Sequence, residues 1–252
     1  MTTYSIFNDE PKDWEELQTR VAAILSDIGY TTEVEKDVDT VRGKVNIDVF
    51  AENNNLQPKQ IILAECKYWT TNVPKTVVHS FRTVVNDFGA NFGYIISKSG
   101  FQSGSFDAVL RSNVSLMTWN EFQDFFKPAW LHAMIHKVHV LGKPLMDFTD
   151  YMGDFYDKEY DLLTEQKKEE FREAISKYSN FAWYSNKQYV VNFVTGEIEY
   201  LDQAIQERKA KLPIAINSYK DYFYFIRDYS IDGLNEIDLI FGKPVRKGQN
   251  YS

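Results

Sequence analysis

The chain has a single cysteine, Cys66, in 252 residues. That excludes an intrachain disulfide and any zinc cluster built on several thiolates. Long apolar runs are missing as well, and no stretch approaches the roughly 20 residues that a membrane span needs. The first residues, Met1-Thr2-Thr3-Tyr4-Ser5, lack the basic-then-apolar layout of a secretory signal. Together these absences predict a cytoplasmic, reducing setting without a membrane partner. Positive charge is also short. There are 28 Lys and Arg against 36 Asp and Glu, a net charge of -8, and neither half is basic: 12 against 17 through Lys127, then 16 against 19. This composition excludes a basic nucleic-acid-binding module. It leaves room for a polyanion met through local positive patches and a bound cation. Repeats, low-complexity segments and Gly/Ser linkers are absent too.

What is present is a core-forming composition, 44% hydrophobic and 25% charged, ordinary for a globular protein. Asp13-Trp14-Glu15-Glu16-Leu17 opens a helical pattern carried by Val21, Ile24, Leu25 and Ile28 and stopped at Gly29. Strands are predicted at Tyr30 to Glu35, Val45 to Ala51 and Ile61 to Trp69. A helix from Val73-Pro74 follows, with Val77, Val78, Phe81, Val84 and Val85 as its buried stripe. Next come a strand at Phe92 to Ser97, a short helix at Phe106 to Leu110, a strand at Val114 to Thr118 and a helix at Asn120 to Phe126. This order predicts an α/β mixed sheet flanked by helices. A soft boundary near Pro128 divides the chain into 1–127 and 128–252. Beyond it, helices are expected at Ala129 to Leu141, Asp147 to Tyr156, Thr164 to Tyr178 and Asp202 to Lys211. An aromatic-rich segment spans Tyr219 to Tyr229. Gln188 to Phe193 and Glu197 to Tyr200, around a Thr195-Gly196 turn, predict a β-hairpin in this mainly α region.

The chemistry concentrates on two of the strands. Asp48 lies at the end of one apolar run and Glu65-Cys66-Lys67 ends the next. If these runs pair as antiparallel neighbours, Asp48 faces Glu65. Strand alternation puts Glu65 and Lys67 on one face and turns Cys66 away. Two carboxylates so close repel each other, and a divalent cation with hard oxygen ligands relieves that repulsion. Such a cation site is the chemistry of metal-dependent phosphodiester cleavage.

Trp14-Glu15, Gly29-Tyr30, Gly43 with Asp48, Glu65-Cys66-Lys67-Tyr68-Trp69, Val73 to Phe81, and Gly93-Tyr94-Ile95-Ile96-Ser97 before Ser99-Gly100-Phe101 together resemble the Mrr-type catalytic domain. That domain belongs to the PD-(D/E)xK restriction-endonuclease-like superfamily. The resemblance runs from about Trp14 to Phe126, and Ile47 stands where many relatives have proline before the Asp. It implies an α-β-β-β-α-β restriction-endonuclease-like fold and a metal-dependent DNA endonuclease of restriction or defence type. Asp48 and Glu65 would ligate Mg²⁺, for which Mn²⁺ would substitute, and the Cys66 main-chain carbonyl would add a third oxygen. Lys67 would orient the attacking water or stabilise phosphate charge, and Glu15 would hold an outer-shell water or a second metal. Lys75, His79, Arg82 and Lys98 would lie near the cleft and touch phosphates of the DNA partner. Duplex cleavage implies a homo-oligomer. A non-catalytic or regulatory DNA- or protein-binding member, and a nuclease acting on junctions, flaps or RNA, stand as alternatives.

Each residue also has a plainer reading. Asp48 and Glu65 can be solvated strand-end charges and Lys67 a simple ion-pair partner. Glu15 can be a dipole-stabilising first-turn residue, with Glu16 facing solvent beside it. Any one of Lys75, Arg82 and Lys98 can be a surface charge, and the lone His79 a structural one. His132, His136 and His139 share a helical stripe but lack the intervening acid of a hydrolytic zinc helix, which predicts structural or exposed roles. Tyr219, Tyr222, Phe223, Tyr224 and Phe225 are expected in a core or subunit interface.

Overall fold

The computed structural model describes residues 4–150, 157–192 and 194–244. It divides into two compact units, one of residues 7–133 and one of residues 1–6 with 134–252.

In the first unit, helix α1 (Trp14–Asp27) is capped by Asp13, whose Oδ1 accepts from the Glu16 N–H at 2.8 Å. Its Leu17, Val21, Ile24 and Leu25 are buried. Gly29, at φ +99°, makes the turn out of the helix in a conformation that other residues rarely adopt. Strands β1 (Thr31–Thr40), β2 (Gly43–Asn53) and β3 (Gln60–Lys67) follow as an antiparallel meander. Helix α2 (Lys75–Phe88) then crosses over to β4 (Phe92–Ser97), which pairs parallel to β3, and β5 (Val114–Thr118) extends the parallel part. The five strands lie in sequence order, β1-β2-β3-β4-β5.

Phe50, Leu63, Ile95, Val114 and Leu116 of the sheet pack with Val78, Phe81 and Val85 of α2. Gly93 permits this close approach: a Cβ there would lie 2.6 Å from Val85 Cγ2 and 3.0 Å from Val114 Cγ2. Phe122 and Phe126, from the helix after β5, pack their rings on Tyr94.

That helix, α3 (Trp119–Thr149), runs straight through Pro128, where a break was expected. Proline forfeits one backbone hydrogen bond. Here Phe122 and Trp130 are fully buried and Phe126 nearly so, and this apolar packing on both sides of the proline outweighs the loss.

The second unit is helical: α4 (Asp157–Asp161), α5 (Glu165–Ala182), α6 (Leu201–Arg208) and α7 (Tyr219–Phe241), together with the end of α3. Its core joins Leu145, Phe148, Phe171, Tyr178, Leu234 and Ile237. The expected helix at Asp147 to Tyr156 falls partly outside the described residues. The expected hairpin is reduced to a short 3-10 turn at Lys187–Tyr189 and one antiparallel bridge, Val191 to Ile198; Phe193 lies outside the described residues. Two asparagines account for the difference. Asn186 Oδ1 accepts from Gln188 N, and Asn192 Oδ1 accepts from Val194 N and Thr195 N. These side-chain turns compete with an extended ladder.

No helix among the described residues is long and apolar enough to cross a membrane. Tyr219, Tyr222 and Phe223 are buried in the helical unit.

Candidate active site

The β2–β3 register pairs Val49 with Ala64, and one step further Asp48 and Glu65 stand opposite each other. Alternation along β3 brings Lys67 to the same side as Glu65. Lys67 Nζ contacts Glu65 Oε1 directly and lies 4.0 Å from Asp48 Oδ2. All three side chains retain only 17 to 20% of their exposure, so they are shielded but still open to small molecules. The Cys66 N–H donates to Asp48 Oδ2 at 2.6 Å, which fixes that carboxylate from the strand backbone itself. The Cys66 thiol is buried, and burial pushes its pKa well above the ordinary value; it is no nucleophile.

Burial raises the pKa of Asp48, against the pull of the Cys66 N–H and the Lys67 charge. Burial also raises Glu65, and the Asp48 charge adds to it. Burial opposes the Lys67 ammonium, yet Glu65 and Asp48 together more than offset it and hold its pKa above the ordinary value. The site is therefore two reluctant carboxylates around one firmly protonated lysine. It suits a hard dication of the Mg²⁺ type, which binds through one or two carboxylates and keeps several of its waters.

On α1 it is Gln18, not Glu15, that faces the protein interior. Glu15 is exposed in the first turn. Among the described residues no three His, Cys, Asp or Glu side chains converge as a metal cluster. Gln18 is only 4% exposed. Its Nε2 donates to Glu35 Oε1 at 2.6 Å. A polar side chain inside the buried stripe of α1 was the available sequence signal. Glu16 does not face open solvent as expected; it is half-buried and paired with Arg20, which also holds Asp9. The absence of a metal cluster applies equally to His132, His136 and His139.

Of the other predicted residues, Lys98 lies nearest the site. Its N–H donates to the Lys67 carbonyl at 3.0 Å, and its Nζ sits 3.9 Å from the Tyr68 ring centroid. Lys75 and His79 are exposed on the first turns of α2. Arg82 commits one nitrogen to the Ala108 carbonyl at 2.6 Å, which ties α2 to the 3-10 turn at Asp107–Val109. Trp69 is 41% exposed, its ring 5.5 Å from Lys67 Nζ. Tyr68 shares its hydroxyl proton between the carbonyls of Pro11 and Lys12, at 2.9 and 2.7 Å.

Residues 11–126 match the family model described as restriction endonuclease, the Mrr catalytic domain. No curated protein matches the chain. A solved crystal structure of a protein of unknown function is similar at 15% identity with a TM-score of 0.39, over 91% of this chain and 99% of that one. With the five-stranded mixed sheet and its flanking helices, the family match places residues 11–126 in the Mrr-type catalytic domain of the restriction-endonuclease-like superfamily, a family of restriction-type nucleases.

Proposed function

We propose that this protein is a Mg²⁺-dependent DNA endonuclease of the restriction or defence type, with Asp48, Glu65 and Lys67 as its catalytic group. The observation that carries the reading is the convergence of Asp48, midway along β2, and Glu65, near the end of β3, on one lysine ammonium. In this reading Asp48, Glu65 and the main-chain carbonyl of Cys66 hold the cation, and Mn²⁺ substitutes for Mg²⁺. The bound ion supplies Lewis acidity and a coordinated water of lowered pKa.

The chain's own residues do the rest. Asp48 is oriented by the Cys66 N–H. Lys67, kept protonated by the two acids, is suited to orient the nucleophilic water and to stabilise negative charge building on the phosphate. Lys98 stands beside the end of β3 as a phosphate contact, and Lys75 and His79 offer further contacts on α2. Residues 128–252 are assigned to recognition, oligomerisation or control. A single site cuts one strand, so cleavage of duplex DNA calls for paired subunits.

The purified protein should nick or cut plasmid DNA with Mg²⁺ or Mn²⁺, and Asp48→Ala and Lys67→Ala should each abolish this. Cleavage that persists in both variants would remove the site from the reaction.

A further inference from the structure

Two aromatic residues, Tyr68 and Trp69, follow Lys67 directly, and they are used differently. Tyr68 is already engaged: its hydroxyl donates to the Pro11 and Lys12 carbonyls, and the Lys98 ammonium lies 3.9 Å from its ring centroid. Trp69 is 41% exposed, with the Lys67 ammonium 5.5 Å from its ring centroid. An exposed apolar side chain is ordinary by itself. This one stands beside the ammonium that the proposed reaction sets against the scissile phosphate.

The backbone that carries the indole is pinned. Ser99 Oγ donates to the Trp69 carbonyl at 2.5 Å, Asn72 Nδ2 to the Phe101 carbonyl at 3.1 Å, and the Val73 N–H to the Gly100 carbonyl at 2.9 Å. The segment 69–73 is thereby tied to the turn after β4, and a face held in place in advance loses little freedom when a flat ligand covers it. Nucleobases are such ligands, because every base has a π face that stacks on an aromatic ring. Bases inside a duplex have both faces taken by their neighbours, so an unstacked base is the one that can use the indole. Charge favours the same choice. Neutralising the backbone supplies nearly all sequence-independent affinity for duplex DNA, and a chain of net charge -8 offers little of it. Stacking needs no net charge, while Lys67 and Lys98 supply positive groups beside the two aromatics.

We infer that Trp69 is a stacking platform for an unpaired base flanking the scissile phosphate, so that the favoured substrate is a single-stranded stretch of DNA. The inference rests on the proposed function of the same site and narrows its substrate. Lys67 meets the phosphate, and the indole beside it meets the base on the adjoining sugar. One site also cuts one strand, which is all that such a substrate requires. Alanine at a stacking position typically weakens single-strand binding about fivefold or more.

The test is fluorescence anisotropy of a labelled single-stranded oligonucleotide, and of the same strand annealed to its complement. Each is titrated with the full chain in Ca²⁺, a hard cation that carboxylates also bind. The wild type should bind the single strand more tightly than the duplex. Trp69→Ala should weaken single-strand binding about fivefold or more and leave duplex binding unchanged. Trp69→Phe keeps an aromatic face and should recover most of that loss. Trp69→Leu keeps apolar bulk without such a face and should bind as Trp69→Ala does, which separates stacking from packing. Trp69→Ala holding the single strand as the wild type does would overturn the inference alone and leave the Asp48 cleavage test untouched. An equal loss on both DNAs would overturn it too, because the indole would then serve Lys67 and not a base. Wild-type protein that binds neither DNA would overturn the DNA substrate and this inference together.

Discussion

The main-chain N–H of Cys66 donates to Asp48 Oδ2 at 2.6 Å, so the strand that carries Glu65 and Lys67 also holds the carboxylate facing them. Asp48 is thereby committed on one oxygen and presents the other. Asp48→Asn can place an amide nitrogen against the Cys66 N–H or turn its oxygen back to it, and in either case loses the anionic ligand. Mg²⁺-dependent cleavage by Asp48→Asn is expected to fall at least about 100-fold in a plasmid-nicking assay, with little change in thermal midpoint.

Lys67 is predicted to separate charge from shape. Lys67→Met keeps the stem and removes the ammonium; it should reduce cleavage by roughly 100-fold or more. Mn²⁺ binding to the same variant should strengthen or hold, because a competing cation has left Glu65 and Asp48. Single-turnover cleavage and calorimetry read the two effects apart.

Glu15 and Gln18 give opposite predictions. Glu15 is exposed and outside any acid cluster, so Glu15→Ala should leave cleavage within about twofold, as expected for an exposed site away from the chemistry. Gln18→Leu, at a buried position bonded to Glu35, should lower it about 10-fold or more at limiting Mg²⁺. Parallel assays across a Mg²⁺ titration check both.

The pH dependence follows from the carboxylates. Burial raises the folded-state pKa values of Asp48 and Glu65 above their unfolded values, so the folded protein takes up protons there more readily than the unfolded chain. Their contribution is most favourable below the unfolded pKa and is lost as pH rises through the folded values. A cation competes with those protons. The thermal shift produced by Mg²⁺ should therefore grow from about pH 4 to neutrality, the range from the unfolded carboxylate pKa upward, and flatten in the Asp48→Asn, Glu65→Gln double variant. Melting curves across a pH series with and without Mg²⁺ measure it.

Gly93 is the packing test. Its absent Cβ would meet Val85, Val114 and Phe81 within about the distance real contacts avoid, so Gly93→Ala should cost about 1–3 kcal/mol by overpacking. Denaturant unfolding of the variant provides the number.

The sheet and the core of the site were legible in the sequence because strands obey a period of two. Once Val45 to Ala51 and Ile61 to Trp69 were read as neighbours, Asp48, Glu65 and Lys67 had to share a side. The helix was harder. A carboxylate at Glu15 suited the chemistry, but the rotational phase of α1 is set by Leu17, Val21, Ile24 and Leu25, and it turns Gln18 inward. Nothing in the sequence announces the Glu35 backbone, at φ +55°, since a positive φ is ordinarily marked by glycine or asparagine. Pro128 looked like a helix stop because a local stop signal carries no record of the aromatic packing that overrides it. The hairpin at Gln188 to Tyr200 failed for the converse reason: Asn186 and Asn192 bind nearby backbone, a local preference that the apolar alternation concealed.

Tyr68 ties the segment just ahead of α1 to the residue just after Lys67, through the carbonyls of Pro11 and Lys12. A shortened chain beginning at Asp13 would sever that stitch and leave the phenol to water at the lip of the cleft. A minimal fragment that keeps this contact accordingly has to carry Pro11 and Lys12, which enter it through their main chain alone.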